Sequence, residues 1–405
     1  MRNLAFCKVH FYLIATLILV KLVFSYLLVE PHYLQKGLIS NVDKFNFWEL
    51  PKNFSSQLEF VLAPLNVIFI FLYRRWFKPS SFIFIVFVFS LASSFISSYV
   101  NETSFFEGVK YSLKIFSPIF FFCVLVIYSK KMNTNLSGFF KLMIMTCALL
   151  SFIAIVFFNP SMNRVEEYLP VYFANIHTTS YIIVTCLMAV NYLIFRKLHP
   201  IYLLISTCLI TVILFFGYGV RTALIIFFLF SIPLLVLSSN EFKKTFFQII
   251  FLLPFALTIF FLFYFSTIDW EEFSSGRLSM YFEKLNLIIE FNILELAFGR
   301  GSGSDLIKTK AWWWEVKGSH SDVITTVFEN GLIYFFIIIL TFLQVLFVKT
   351  TTSWVYLTTF CGYLFSSVIS NGIAVRPLAG YVFFSFLAFL LIDNYKHTKH
   401  IKLND

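Results

Sequence analysis

Long apolar runs recur along this chain from end to end, and no other feature restricts its fold so tightly. They occupy residues 9–29, 58–73, 80–99, 111–128, 138–158, 177–195, 201–217, 221–238, 246–265, 322–348, 353–370 and 378–393. A helix of about 20 residues crosses roughly 30 Å of hydrocarbon. A helix also satisfies its own backbone hydrogen bonds, which lipid cannot do. The runs are continuous rather than alternating, which argues against a β-barrel. Only 13% of the residues are charged, against about 25% in soluble domains, and the mean hydropathy is +0.83. The expectation is an all-α, polytopic membrane helical bundle of about 12 spans.

The connections between the runs alternate in charge. One set carries Arg74, Arg75, Lys78, Lys130, Lys131, Arg196, Lys197, Lys243, Lys244, Lys349 and the tail lysines Lys396, Lys399 and Lys402. Its acids are few: Glu241, Asp393 and Asp405. Basic residues accumulate on the cytoplasmic side, so both termini are expected there. The opposite connections would be 30–57, 100–110, 159–176, 217–221, 266–321 and 371–377. The chain then divides into spans 1–9 over 1–265, one large outer loop over 266–321, and spans 10–12 with a tail over 322–405. The net charge of +10 is scattered through short loops and gives no nucleic-acid signal.

Arg2 and Lys8 precede the first run, which is too long for a cleaved signal and reads as a retained span. The six cysteines (Cys7, Cys123, Cys147, Cys186, Cys208 and Cys361) form no CxxC pair, and read as small apolar packing residues. The 57 phenylalanines read as lipid-facing replacements for leucine. Within the spans, ionisable residues are nearly absent; Lys21 and Lys114 lie near enough to an end to snorkel. Ion-coupled transporters keep charges or broken helices near the midplane, so chemistry is expected on the outer face instead.

Three outer positions carry the strongest signal. Arg221 follows two glycines in GYGVRTA (217–223) and opens an apolar run. Arg277 opens SGRLSMYFEKL (275–285), where Leu278, Tyr281, Phe282, Leu285, Ile288, Ile289, Ile293 and Leu296 share one helical face. Glu283, Lys284, Glu290 and Glu295 lie mostly elsewhere, as in an interfacial amphipathic helix. A cation at a helix N-terminus opposes the macrodipole by roughly 0.3–1 kcal/mol, which suggests service to an anion such as phosphate. Anchoring or plain solvation would explain either arginine without any function. His320 precedes Asp322, which can cap the next span. A helix N-terminus favours neutral imidazole, able to accept a proton, although an idle interfacial histidine would look the same.

Weaker candidates surround these. GRGSGSD (299–305), with Arg300, could make a backbone nest for an anion. Trp312, Trp313 and Trp314 could stack on sugars or anchor an interface. His177 and Arg376 lie at outer ends of spans. Glu166–Glu167 and Asp269, Glu271 and Glu272 are acidic groups that most simply read as solvated. No DxD, Walker loop, HExxH or GxSxG occurs, so neither a metal nor another cofactor is called for.

In order and spacing, GVRTALIIF (219–227), SGRLSMYFEKL (275–285), FGRGSG (298–303) and SHSDVITTVFENGLIYFF (319–336) resemble the O-antigen polymerase and ligase superfamily of bacterial inner membranes. The His–x–Asn/Asp…Glu–x–Gly pattern falls on His320, Asp322, Glu329 and Gly331, with Asn330 between the last two; Ser321–Asp322 departs slightly from the family pattern. The resemblance implies metal-independent glycosyl transfer on the periplasmic face, with undecaprenyl-diphosphate-linked glycans as donor and acceptor. It allows a chain-length regulator protein as a partner. Arg221, Arg277 and Arg300 would then hold diphosphate, and His320 would orient or deprotonate the acceptor hydroxyl. His177, Trp313, Asp322 and Arg376 would serve the acceptor or its sugars. Polymerase and ligase share this donor chemistry, with polymerase favoured on family-level grounds. A flippase would need the midplane charge and repeat symmetry that the sequence lacks.

Overall fold

A computed structural model describes residues 2–27, 54–134, 136–157, 161–163, 166–170, 172–173, 176–195, 198, 200–238, 276–310, 312–313, 316–348, 354–369 and 372–401. In chain order the elements are α1 (Arg2–Leu27), α2 (Phe54–Tyr73), α3 (Pro79–Val100), α4 (Phe105–Met132) and α5 (Ser137–Phe157). A small hairpin follows, β1 (Ser161–Asn163) and β2 (Glu166–Tyr168), then α6 (Ile176–Leu193), α7 (Pro200–Tyr218) and α8 (Arg221–Ser238). The chain ends with α9 (Arg277–Ile289), α10 (Ile293–Phe298), α11 (Asp322–Leu346), α12 (Trp354–Ile369) and α13 (Pro377–Ile401).

Among the described residues nine helices are long and apolar enough to cross a membrane: α1 to α8 and α11. α12 and the Pro377–Asp393 part of α13 are shorter apolar helices. The expected span at 246–265 lies outside the described residues, as do Asp269, Glu271 and Glu272. The two three-residue strands, paired antiparallel with Met162 opposite Glu167, depart from a purely helical expectation.

The core forms around α4, whose residues from Ile115 to Ser129 are all buried. It packs on α2, α3 and α13. α3 approaches it through buried Ser90, Ser93, Ser94, Ser97 and Ser98; a side chain on Gly108 would meet Ser94 Cβ at 2.9 Å. With hydrocarbon outside, such small residues allow the close packing that holds helices together. Phenylalanine fills this core as well as the lipid-facing surface. Phe116 and Phe120–Phe122 are fully buried, and Phe140 stacks on Phe389 at 4.9 Å, whereas Phe71 and Phe216 are exposed.

The spans hold more charge than the sequence suggested. Lys21 does not snorkel: it is 2% exposed and paired with Glu59 at 2.8 Å. Tyr381 donates its hydroxyl to the other Glu59 oxygen at 2.8 Å. Burying either charge alone would be expensive, and the three-way pairing removes that penalty. Lys21 lies six residues from the end of α1, about 9 Å at 1.5 Å per residue. The pair therefore sits one to two turns below the end of the bundle that carries His320.

Candidate functional site

Among the described residues that follow α8, a buried ion pair ties the segment before α11 together. On α9, Met280 and Lys284 are one helical turn apart and both fully buried. Lys284 was expected on the polar face; it faces the protein, while Leu278, Phe282, Leu285 and Ile289 are exposed. Its ammonium donates to Asp305 Oδ1 at 2.7 Å and to the carbonyls of Asp305 and Lys317 at 2.6 and 3.0 Å. Burial pulls the Lys284 pKa down, and Asp305 opposes that pull. Asp305 Oδ2 accepts from Ser319 N and Oγ and from Thr325 Oγ1, at 2.8, 3.0 and 2.8 Å. One carboxylate thus ties α9 to residues 317–325, on both sides of His320.

His320 itself has a left-handed backbone, φ 53°, uncommon outside glycine. Its neighbours hold it there. Ser319 and Ser321 are buried, Tyr281 Oη donates to the His320 and Ile369 carbonyls at 3.2 and 3.1 Å, and Ser321 Oγ donates to Val368 O at 2.6 Å. Ser321 caps α11, accepting from Ile324 N, which corrects the expectation that Asp322 would do so. Asp322 is instead the first residue of the helix, and its Oδ2 accepts from Gly372 N at 2.9 Å. Its buried Oδ1 has no hydrogen-bond partner among the described residues.

The structure places Arg277, His177 and Arg376 within electrostatic reach of His320, with Asp322 two residues further along the chain. Burial first, then the charges of Arg277, Lys317, Lys284 and Arg376, push the His320 pKa down to about 4. His177, in the first turn of α6, lies within electrostatic reach of Arg376, Arg277 and His320. Its ring is near-parallel to Tyr181 at 6.4 Å, and its buried Nδ1 finds no hydrogen-bond partner among the described residues. Arg376, whose backbone N–H donates to Ile373 O at 3.0 Å, also acts on Asp322 and on Lys114. Lys114 is exposed although its neighbours Leu113 and Ile115 are buried. Two guanidinium groups, two imidazoles and one carboxylate therefore share one end.

Arg221 lies at the start of α8, and Arg300 is engaged by its own neighbours. Gly219, at φ 63°, turns the chain so that Arg221 opens α8. Thr222 beside it hydrogen-bonds Tyr181 Oη at 2.8 Å, but Arg221 is exposed. Arg277 and Arg376 act on both histidines, and on His320 Lys317 and Lys284 act more strongly than Arg376 does. Arg300 donates from Nε to Glu295 at 3.0 Å and stacks over Phe291 at 4.2 Å. Trp313 is 70% exposed, Lys317 lies over the Trp312 ring at 3.6 Å, and Trp314 lies outside the described residues.

The glycine-rich nest is already filled by the chain itself. Arg300 N and Gly301 N donate to the Phe328 and Glu329 carbonyls at 2.9 and 3.0 Å, and Gly303 N donates to Glu329 Oε1 at 3.0 Å. This requires α11 to break at Gly331, φ 79° and ψ 176°, where a side chain would strike Ala297 O at 2.3 Å. The Glu329–Asn330–Gly331 motif is thus a crossing point of two backbones. Among the described residues no three His, Cys, Asp or Glu side chains converge as metal ligands.

Sequence reasoning overlooked Lys284 as an anchor and Tyr281 and Tyr181 as supports. The spacing of Met280 and Lys284 marked the inward face, but a lysine there reads as polar until its partner is known. No protein-family model matches this chain, and no curated protein matches it.

Proposed function

We propose that this chain is a glycosyltransferase of the O-antigen polymerase type, working at the periplasmic face of a bacterial inner membrane. It would join undecaprenyl-diphosphate-linked units within a bundle of about 12 crossings whose termini are cytoplasmic. The observation that carries this reading is that Arg277 and Arg376 lie within electrostatic reach of both His177 and His320 at one end of a membrane bundle.

The chemistry follows from that charge. The acceptor hydroxyl oxygen attacks the anomeric carbon, and the bond from that carbon to the diphosphate oxygen breaks. The electron pair leaves with the diphosphate, whose negative charge fixed guanidinium groups stabilise without reorganising; this kind of preorganisation is often the largest catalytic term. Arg277 and Arg376 supply the charge, with Arg221 at the rim. The hydroxyl proton needs an acceptor, for which neutral His320 is placed, with His177 beside it. The exposed apolar face of α9 would rest in the interface next to the lipid tail. The Lys21–Glu59 pair is internally neutralised and lends no support to a translocation path.

Deleting the gene and resolving surface lipopolysaccharide on a gel tests the reading. Core carrying a single repeat is the expected result. Bare core with accumulated lipid-linked polymer would assign the ligase reaction instead, and an unchanged ladder would overturn both. Arg277→Ala and Arg376→Ala, each present in the membrane at normal level, should reproduce the deletion pattern.

A further inference from the structure

At the end of the bundle opposite His320, the turn after α2, the start of α3 and the ends of α4 and α11 line a half-open cavity of about 520 Å3. Arg75, Lys78 and Lys130 line it together with Trp76 and Phe347, and no acidic side chain is among the lining residues that are described. Two of the cations rest on rings: Lys130 Nζ lies 5.2 Å over Phe77 and the Arg75 guanidinium 5.7 Å over Trp76. Three like charges around one cavity repel each other, and an anion between them would offset that repulsion. The first residue of α3 is Pro79, so the positive end of a 22-residue helix also faces the cavity. The rim is apolar and outward-facing: Trp76 is 38% and Phe347 67% exposed.

We propose that this cavity binds the phosphate diester headgroup of an anionic phospholipid. Phosphate is the group that suits a fork of one arginine and two lysines. The exposed Trp76 and Phe347 mark a lipid as its source, because they would lie along the first segment of an acyl chain. Basic pockets between membrane helices commonly take such headgroups.

The test uses the purified full chain in a neutral detergent. Phosphatidylglycerol should raise the thermal unfolding midpoint by several degrees, because ligand binding to the folded state alone stabilises it. Phosphatidylcholine should not, and Arg75→Gln/Lys78→Gln/Lys130→Gln should lose the rise. An equal response from the triple variant, or from phosphatidylcholine, would overturn the site. If millimolar inorganic phosphate alone reproduced the rise, the lipid assignment would fall. Should the variant not fold, native mass spectrometry of the unmodified chain decides: preferential retention of one phosphatidylglycerol supports the site, and equal retention of phosphatidylcholine removes it.

Discussion

His320 combines three properties that rarely coincide: a left-handed backbone, a half-buried place between two buried serines, and four cations nearby. An unperturbed histidine titrates near 6.5. At about 4, His320 is neutral throughout the physiological range, so it can receive a hydrogen bond but is a weak base on its own. The same cations would be neutralised by a bound lipid diphosphate, which returns basicity to the imidazole when the donor is in place. Histidine-selective NMR should therefore show His320 neutral down to about pH 5, with its pKa rising when a polyprenyl diphosphate is added. Arg277→Met should raise it in the absence of ligand; no change in that variant would remove Arg277 from the cluster. The sign for stability follows. Because the folded pKa is depressed, the unfolded chain takes up a proton that the folded chain refuses. Stability should fall as pH drops from about 6.5 towards 4, and His320→Gln should flatten that slope in a thermal series. In activity, His320→Gln should cost more than His177→Gln, with Arg277→Ala lowering the rate by roughly 100-fold or more, as loss of one preorganised charge does.

At the scale of elements, α9 is held by the Lys284 ion pair as well as by the buried Met280. Asp305→Asn removes the charge partner while Lys284 stays buried, which should cost roughly 3–5 kcal/mol. Lys284→Met/Asp305→Asn should recover much of that loss, because an apolar isostere no longer needs a counter-charge. Thermal midpoints in detergent measure both; equal stability of the single and double variants would show that the pair does not anchor the helix. Gly331→Ala should also destabilise, since its φ is positive and a methyl would meet Ala297 O at 2.3 Å. These elements also show what the sequence could reveal. The apolar stripe of α9 was legible because Leu278, Phe282, Leu285 and Ile289 recur at helical spacing, and they are exposed as an interfacial helix requires. Lys284 was illegible, because its meaning depends on Asp305, which lies 21 residues away. The glycine nest was legible as a nest, but not its occupant, Glu329. The candidate site was half legible: Arg277 and His320 stood out by position, while His177, Asp322 and Arg376 gained weight only when the fold placed them together.

At the scale of the molecule, the helices alternate so that the histidine–arginine cluster and the basic turns lie at opposite ends. His177, Arg277, His320 and Arg376 gather at one end; Arg74, Arg75, Lys78, Lys130 and Lys131 gather at the other, where Lys131 acts on Cys7 at the start of α1. Apolar length made the crossing helices legible from composition. Burial of Lys21 was not legible, because only the fold reveals that Glu59 and Tyr381 meet it. If basic residues mark the cytoplasmic side, the two ends must differ in access to a reagent that cannot cross the membrane. Replacing the six native cysteines with serine or alanine gives a background for single cysteines. Trp313→Cys, at a position 70% exposed seven residues before His320, should react in intact spheroplasts with an impermeant maleimide. Lys78→Cys, at the start of α3, should react only after the membrane is opened. The reverse pattern would turn the bundle over and place the arginine–histidine cluster in the cytoplasm. There the donor would have to be an inward-facing lipid diphosphate, and polymerisation at the outer face would no longer be tenable.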